Sequence, residues 1–467
     1  MTPRKTAVLL SLPVCLVVAA VLAAQPPRPL DLDYREPAGR LIGAAMVDTA
    51  GYDKLAHLTT RIGHRLSGSS GLERAVTWVA AQMTADGLDN VRTQPVKVPH
   101  WVRGRESAHV VAPVERPIAM LGLGGSIATP PDGITAPVVV VGTFAELDEL
   151  GADKVKGRIV LYDMQWEGYA QSVTYRVSGA SQAARLGAVA ALVRSVTPRS
   201  LYTPHTGVLN YVAAAPRIPA AAITVEDAAW IRRMTATGQE VRVQLRMEAE
   251  TRPDADSANV MGEIAGVERP DEVVVLGGHL DSWDVGEGAH DDGSGVVAAW
   301  QAVALMKQLG LTPRRTIRVV AWTNEENGTR GGDAYRDALG TAVDKHVAAI
   351  EMDEGAERPV GFAYSIVGTG TSAPRVISAT AKLREIARLL DGIGAGAIDL
   401  GGGGTDIGPL MRTGVPGFGL ITVNERYFDW HHTNADTFDK IDLQDFRRCI
   451  AALAVMAYVL ADMPGRL

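Results

Sequence analysis

The chain has 467 residues, of which 46% are hydrophobic and 21% are charged, and this composition excludes disorder for most of its length. Its 46 basic and 53 acidic side chains give a formal net charge of −7. No basic surplus exists to neutralise phosphates, so we do not expect nucleic acid as a partner. At ~100–200 residues per domain the length predicts two or three domains, and two cysteines are too few for a disulfide scaffold.

The N-terminal segment is typical of a secretory signal peptide. Arg4 and Lys5 precede an apolar run, and small residues follow it at the expected cleavage point. We therefore predict a signal peptide over residues 1–24 and export of the protein to the periplasm or the extracellular space. The apolar run is borderline in length for a bilayer span, so membrane attachment is expected only if the segment is not cleaved. A proline-rich start predicts a linker over residues 25–40.

Residues 41–115 form the first predicted block after the linker. Its clearest element is an amphipathic helix over residues 71–87, which ends at Gly87. The apolar face of this helix consists of Leu72, Val76, Val79 and Met83.

Residues 116–255 are predicted to form a compact, β-rich insert. Its short apolar runs lie at residues 137–142, 158–162, 188–194 and 218–224. A helical stretch over residues 178–187 separates two of them. Acidic and histidine clusters are scarce here, and we interpret the isolated His205 as a structural or exposed residue. The insert is therefore not expected to be the catalytic unit.

Residues 256–467 alternate regularly between strand and helix patterns. Strands are predicted at residues 273–277, 317–322, 347–352 and 417–422, and helices at residues 293–309, 373–390 and 443–462. This alternation predicts βαβ units, hence an α/β fold with a mixed, mostly parallel sheet and helices on both faces. Ligands of such sheets bind at the carboxyl ends of the strands. Cys449 lies within the last helix and is expected to be buried.

Acidic and histidine side chains follow four of these predicted strands. In chain order they are His279, Asp281, Asp284, His290, Asp291 and Asp292, then Glu325 and Glu326, then Asp353 and Glu354, then His431 and His432. Carboxylates crowded at one sheet edge would repel one another, and bound divalent cations would remove that penalty. Imidazole and carboxylate donors without thiolates suit zinc, and also cobalt or manganese. Five or six donors exceed the three that one catalytic zinc takes, which suggests two metals ~3.5–4 Å apart.

Each of these motifs also has an ordinary structural interpretation. The Asp291–Asp292 pair before Gly-Ser-Gly is common at a helix N-terminus, where Asp meets the positive end of the dipole. Adjacent glutamates such as Glu325 and Glu326 often start a solvated helix, and Asp353 could belong to a turn. Their joint placement at successive strand ends is what favours a metal site.

The same residues carry a family resemblance. GGHLDSWDVGEGAHDDGSG, NEENG, EMDEG, GGGGTDIGPL and HHTNADT stand in an order that resembles the zinc exopeptidases of metallopeptidase family 28. Within that family the chain is most similar to the plasma glutamate carboxypeptidase, or carboxypeptidase Q, group. Residues 63–68 resemble the family's N-terminal part, and the middle block resembles its protease-associated insert domain. The resemblance implies the zinc exopeptidase fold and two zinc ions per chain.

The resemblance also implies a role for individual residues. It makes Glu325 the general base and His431 a stabiliser of the oxyanion at a position where many relatives have Tyr. Asp281, two residues after His279 on extended backbone, is expected from this spacing to orient that imidazole. Gly404, Thr405 and Asp406, in the glycine-rich stretch 401–406, are expected to shape the substrate pocket. The implied metal ligands are His279, Asp291 as the bridge, Glu326, Asp353 and His432.

The expected function is that of a secreted dizinc exopeptidase acting on small peptides, as a dipeptidase or carboxypeptidase, through a water shared by the metals. An aminopeptidase is the main alternative. A non-catalytic binding protein and a cyclase on the same fold are alternatives from other classes. The resemblance also implies a homodimer.

Overall fold

The structure is a computed structural model, and it describes residues 28–467. The predicted signal peptide, residues 1–24, lies outside this range. Within it, no helix combines the length and the hydropathy that crossing a bilayer requires.

The strands form two separate sheets. In chain order they are β1 (Asp89–Val102), β2 (Glu106–Ala112), β3 (Arg116–Ile118), β4 (Met120–Gly122), β5 (Ile134–Val141), β6 (Ile159–Tyr162), β7 (Ala190–Arg194), β8 (Ala220–Ile223), β9 (Arg242–Met247), β10 (Glu250–Ile264), β11 (Arg269–His279), β12 (Arg315–Trp322), β13 (His346–Glu351), β14 (Pro359–Ser365), β15 (Ala397–Leu400) and β16 (Gly417–Thr422).

Helices precede, connect and follow these strands. They are α1 (Leu30–Asp33), α2 (Arg35–Val47), α3 (Ala50–Ala56), α4 (Ser70–Ala85), α5 (Phe144–Val155), α6 (Tyr169–Arg185), α7 (Val225–Ala236), α8 (Ser294–Gln308), α9 (Arg330–Leu339), α10 (Pro374–Arg388), α11 (Gly408–Met411), α12 (Tyr427–Trp430) and α13 (Leu443–Asp462).

The first sheet has eight strands in the order β1-β10-β12-β11-β13-β16-β14-β15. Its centre, β12-β11-β13-β16, is parallel throughout. The pairs β1–β10, β10–β12 and β16–β14 are antiparallel, and the edge pair β14–β15 is parallel. The predicted mixed, mostly parallel sheet is therefore confirmed.

Both faces of this sheet are buried under helices. Along β12, Ile317 and Val319 belong to the large apolar core that also contains α8 and α13. Val320 and Trp322 point to the opposite face, where they meet side chains of α9 and α11. Alternate strand residues thus enter two different cores, as the pleat of a central strand requires. Cys449 is buried in α13, as predicted.

Helix α4 occupies nearly the whole of the range predicted for it. Its N-cap is Ser69, whose hydroxyl accepts a hydrogen bond from the backbone N–H of Leu72 at 3.2 Å. All four residues of the predicted apolar face are buried. The spacing alone was sufficient here because the helix packs one stripe against the sheet.

The linker predicted over residues 25–40 is wrong from residue 30 onward. Helices α1 and α2 begin there, and α2 buries Ala38, Leu41 and Ala45 on one face against the core that holds α13 and α8. The spacing of these three residues is typical of one face of a helix. The prolines before residue 30 indicated a linker, and the prediction extended that linker too many residues toward the C-terminus.

The second sheet forms the insert and also has eight strands, in the order β3-β2-β9-β5-β6-β7-β8-β4. The β-rich insert is confirmed, and it additionally carries α5, α6 and α7. Strand β6 buries Val160 on one face and Leu161 on the other, so this sheet too has two cores.

The sheets divide the chain at points different from those the sequence suggested. Strand β2 pairs with β9 in the insert sheet, whereas β10 pairs with β1 in the first sheet from its first residue, Glu250, to Glu263. The insert therefore begins within residues 103–105 and ends within residues 248–249. The limits predicted from the sequence were residues 116 and 255. Long-range strand pairing sets these limits, and local composition does not report it.

Candidate metal centre

Parallel strands bring the predicted donors to one edge of the first sheet. His279 ends β11, and β11 pairs with β12 so that His279 lies opposite Trp322, three residues before Glu325. Strand β13 ends at Glu351, two residues before Asp353. His432 follows α12, which comes after β16. The carboxyl ends of these strands therefore meet, as the topology rule predicts.

The donors form two groups that share Asp291. In the first group, Nε2 of His279 lies 3.2 Å from Oδ1 of Asp291 and 3.2 Å from Oδ1 of Asp353. In the second, Nε2 of His432 lies 3.1 Å from Oδ2 of Asp291 and 3.0 Å from Oε2 of Glu326. One carboxylate thus presents a different oxygen to each group, which is the arrangement of a bridging ligand.

The chemistry of this donor set fits divalent metal ions. Asp291 Oδ2 is buried and accepts no hydrogen bond of good geometry within the described part of the chain, although His432 approaches it. Burial and the charge of Asp291 raise the pKa of Glu326 to about 7. Burial also raises the pKa of Asp353. Such buried, mutually repelling carboxylates are stabilised by bound cations, and imidazole and carboxylate oxygen are the donors that zinc accepts.

Two further side chains lie close enough to be considered as donors. Asp292 lies with His279 and Asp353 in one possible cluster. Its carboxylate already accepts hydrogen bonds from the backbone N–H groups of His279 and Gly295, each at 3.0 Å, so it is engaged in shaping the loop. Nε2 of His431 lies 3.6 Å from Asp291 Oδ2, farther than Nε2 of His432. The five predicted donors therefore remain the better set.

Asp281 acts differently from the sequence expectation. The imidazole of His279 is oriented by the backbone carbonyl of Asp281, 2.9 Å from Nδ1, whereas the nearest carboxylate oxygen is 3.9 Å away. The Asp281 carboxylate instead accepts hydrogen bonds from the backbone N–H groups of Glu325 at 3.0 Å and Glu326 at 3.3 Å. The side chain therefore fixes the backbone of the glutamate pair, and the main chain fixes the ring.

Asp436 is a buried support of Asp291, the candidate bridging residue, that sequence reasoning missed. Its carboxylate accepts hydrogen bonds from the backbone N–H groups of His290 at 2.7 Å and Asp291 at 3.1 Å. Burial raises the pKa of Asp436 to about 7. Its place in HHTNADT, four residues after His432, was the only sequence signal available.

Glu325 and Glu326 border the same cleft, which has a volume of about 340 Å³. Burial, together with the negative charges of Asp353 and Glu326, raises the pKa of Glu325 well above its ordinary value. A half-buried carboxyl group with a raised pKa beside a candidate metal centre is suited to proton transfer near neutral pH.

His431 stacks on the candidate ligand His432, with ring centroids 3.6 Å apart. The rings of Tyr169 and Tyr427 each pack against it at 5.1 Å. Burial and the charge of His432 hold the pKa of His431 well below its ordinary value, so the ring is neutral and retains one N–H donor.

Comparisons with known proteins agree with this geometry. The sequence profile of peptidase family M28 matches residues 259–457, and that of the PA domain matches residues 134–231. Carboxypeptidase Q of Bos taurus is 44% identical over 412 residues, which cover 88% of this chain and 85% of that protein. Carboxypeptidase Q of Mus musculus is 42% identical over 434 residues, covering 92% and 90%. The chain belongs to peptidase family M28.

A crystal structure of a peptidase M28 precursor from Shewanella amazonensis is similar throughout. Its TM-score is 0.89 at 35% identity, and the match covers 94% of this chain and 98% of that one. This M28 peptidase is therefore a zinc metallopeptidase of the exopeptidase class. The binding-protein and cyclase alternatives are set aside, and the match to the PA domain falls inside the insert.

The insert of the M28 peptidase contributes directly to the cleft, which the sequence did not predict. His205 is buried, and its Nδ1 donates a hydrogen bond to the backbone carbonyl of His431 at 2.8 Å, so the exposed interpretation is wrong. The backbone carbonyl of Thr206 lies 3.2 Å from Nδ1 of His432. Tyr169 and Arg176 of α6 line the cleft beside Glu325. These residues come from a separate sheet, so no local pattern could place them here.

The glycine-rich stretch reaches the cleft through one residue. Thr405 borders the cleft, whereas Gly404 packs so closely on Glu351 that a Cβ atom would overlap the carboxylate. Asp406 is buried, and both its carboxylate oxygens lack a hydrogen-bond partner among residues 28–467. Burial and the charge of Glu351 raise the pKa of Asp406 well above its ordinary value.

Proposed function

We propose that this M28 peptidase holds two zinc ions and releases single amino acids from small peptides, as a dipeptidase or carboxypeptidase. The observation that carries the proposal is the position of Asp291, whose two oxygens face two different groups of donors. The proposed ligands are His279, Asp291, Asp353, Glu326 and His432. Zinc held by these side chains would supply Lewis acidity, which lowers the pKa of water toward neutrality.

Glu325 is the proposed general base. Its carboxylate takes the proton of the water that attacks the peptide carbonyl, and it then delivers this proton to the leaving amine. Its place on the cleft wall beside Glu326 and Asp353 supports this role. Asp281 holds the backbone of Glu325, which keeps the base in position.

His431 is the proposed donor to the oxyanion. A neutral imidazole can donate an N–H to the carbonyl oxygen as negative charge develops, in the way a phenol would. The aromatic packing around the ring restricts its orientation. Thr405 borders the cleft between its chain neighbours Gly404 and Asp406, and it is proposed to contact the substrate.

The high identity to carboxypeptidase Q over most of the chain favours this specificity over that of an aminopeptidase. The test compares free dipeptides, N-acetylated dipeptides and amino-acid arylamides as substrates of the zinc-loaded protein. We expect hydrolysis of free dipeptides and resistance of arylamides, which have no free carboxylate. Equal hydrolysis of arylamides would indicate an aminopeptidase, and activity with less than ~0.2 metal ions per chain would refute a metal mechanism.

We also propose that the protein is exported and forms a homodimer. Export is supported by the charged and apolar pattern of residues 1–24, and the dimer by the family resemblance alone. Mass spectrometry of the mature protein should find Gln25 at the N-terminus. Light scattering at micromolar concentration should give about twice the chain mass of 49.5 kDa, and a value near the chain mass would refute the dimer.

A further inference from the structure

The two histidines among the proposed metal ligands are held by different parts of the molecule. His279 ends strand β11, and its Nδ1 lies 2.9 Å from the backbone carbonyl of Asp281, two residues further along the same chain segment. Nδ1 of His432 instead lies 3.2 Å from the backbone carbonyl of Thr206, which belongs to the insert. One imidazole is therefore oriented from within the first sheet and the other from outside it.

Thr206 and His432 are paired in both directions. The backbone N–H of Thr206 donates to the backbone carbonyl of His432 at 3.0 Å, and the carbonyl of Thr206 faces Nδ1 of the ring. A ring that binds metal through Nε2 carries its proton on Nδ1, so this carbonyl is the acceptor that the ring requires. Nη1 of Arg176 donates to the same carbonyl at 3.3 Å; it lies 3.2 Å from Nδ1, but two N–H groups cannot bond to each other. The Thr206 carbonyl therefore fixes the tautomer and the orientation of the His432 ring.

The backbone of His432 has a conformation that needs support from outside. Its φ is +62°, in the left-handed region that is uncommon for residues other than glycine. Such a conformation persists only where the surrounding structure determines it. The two hydrogen bonds to Thr206 supply part of that support. His279 needs none of this kind, because it ends a regular strand paired with Trp322 of β12.

Thr206 is itself fixed to the insert sheet. It is fully buried, and its hydroxyl donates to the backbone carbonyl of Gly122, the last residue of β4, at 2.7 Å. The backbone carbonyl of the next residue, Gly207, accepts a hydrogen bond from the backbone N–H of Gly124 at 3.0 Å. The carbonyl of Thr206 is thus placed by the insert rather than by the sheet that carries the metal donors.

We propose that Thr206 is a positioning residue for one metal position only, that of Glu326 and His432, an inference that rests on the proposed two-zinc function. Thr206 lies behind the ring of His432 and does not border the cleft, so it acts on the metal position rather than on the substrate. The other position, that of His279 and Asp353, has its ring support in its own loop and does not depend on the insert. The insert thereby sets the affinity of one of the two zinc ions.

The test removes the hydroxyl that anchors Thr206 and measures zinc binding by titration with a competing chelator. Thr206→Val keeps the shape of the side chain and loses the hydrogen bond to Gly122. It should weaken the binding of one zinc ion by ~10–100-fold, the range for groups that orient a metal ligand, and leave the other at its wild-type affinity. Thr206→Ser retains the hydroxyl and should bind both ions as wild type does. Gly207→Ala disfavours the φ of +136° and displaces the segment itself, so it should give the same selective loss.

A matched control comes from the same interface. Thr197→Val removes a 2.8 Å hydrogen bond from the insert to the backbone carbonyl of Phe428, and it should leave both zinc affinities unchanged. The variant His432→Ala identifies which ion is affected. It should retain only the zinc ion of the other position, and adding Thr206→Val to it should have no further effect on that ion. The melting temperature of each variant shows that it is folded.

The outcomes separate this inference from the proposed function. Weaker binding of both ions in Thr206→Val, or an equal loss in Thr197→Val, would overturn the inference, because the insert would then support the whole centre. Wild-type zinc binding in both Thr206→Val and Gly207→Ala would overturn it as well. Each of these results leaves the two-zinc peptidase standing. A wild-type chain that binds fewer than two zinc ions would overturn the proposed function, and the inference with it.

Discussion

The two walls of the cleft differ in chemistry. The wall built by the first sheet carries three carboxylates and two imidazoles as candidate metal donors, together with Glu325. The wall built by the insert carries the cation of Arg176 and the ring of Tyr169, and the buried His205 of the insert holds the backbone carbonyl of His431. The sheet edge therefore concentrates the groups that are proposed to activate water and to move protons. The insert supplies positive charge and supports, which suit holding and aligning a substrate.

This division predicts that substitutions on the sheet wall reduce turnover and metal content, whereas those on the insert wall change substrate preference and stability. The largest effect is expected for Asp291→Ala, because this one residue faces both groups of donors. Zinc should fall from two ions to one or none per chain. Since metal stabilisation is worth several kcal/mol, the rate should fall by at least ~10³-fold.

Elemental analysis alongside steady-state kinetics tests this expectation. Asp284→Asn is a suitable comparison, because Asp284 comes from the same motif but pairs with Arg103 away from the donors. It should retain both zinc ions. Two full equivalents of zinc in Asp291→Ala would contradict a bridging role.

The second prediction separates proton transfer from metal binding within one wall. Glu325→Gln keeps the shape of the side chain but cannot accept a proton. It should retain both zinc ions and near-normal KM while kcat falls by ~10²–10⁴-fold. Glu326→Gln should instead lose zinc, because Oε2 of Glu326 faces His432.

Metal analysis and kinetics on the two variants in parallel make the comparison. A nearly fully active Glu325→Gln would remove it as the base. Equal loss of zinc from both variants would mean that the neighbouring glutamates share one role.

The third prediction concerns the support behind that base. Asp281→Ala leaves the backbone N–H groups of Glu325 and Glu326 without their acceptor. Loss of a support of this kind typically costs 10–100-fold in metal affinity or activity. Asp281→Asn retains one acceptor oxygen and should lie between the alanine variant and wild type. Zinc affinity and kcat are to be measured for both variants. If both quantities equalled the wild-type values in both variants, the supporting role of Asp281 would be contradicted.

The contrast between the walls also explains what the sequence could predict. Each strand of the sheet centre is a short apolar run, and each donor follows its strand, so local patterns located His279, Glu326, Asp353 and His432 on one edge. The pairing of Glu250–Ile264 with Asp89–Val102 was invisible because pairing partners lie far apart in the chain. The insert boundaries therefore differ from prediction.

Residues on the insert wall reach the cleft only through the contact between two sheets. Arg176 lies in an ordinary amphipathic helix, and His205 stands alone in a loop, so neither has a local signature of function. The same limit applies to Asp281. Its spacing placed it beside His279, but which of its oxygens meets the ring depends on where the glutamate backbone lies.

The smallest effect on activity is expected at His205, which touches the centre only through the backbone of His431. His205→Leu removes a 2.8 Å hydrogen bond and leaves a buried carbonyl unpaired, which costs about 1–3 kcal/mol of stability. Turnover should fall by less than about tenfold, below the range for groups that orient metal ligands directly. His205→Gln can restore a donor, whereas His109→Leu, exposed in the same insert, should change neither property. Thermal unfolding and kcat/KM measure the two effects. A loss of turnover as large as that of Glu325→Gln would place His205 in the reaction itself and erase the distinction between the walls.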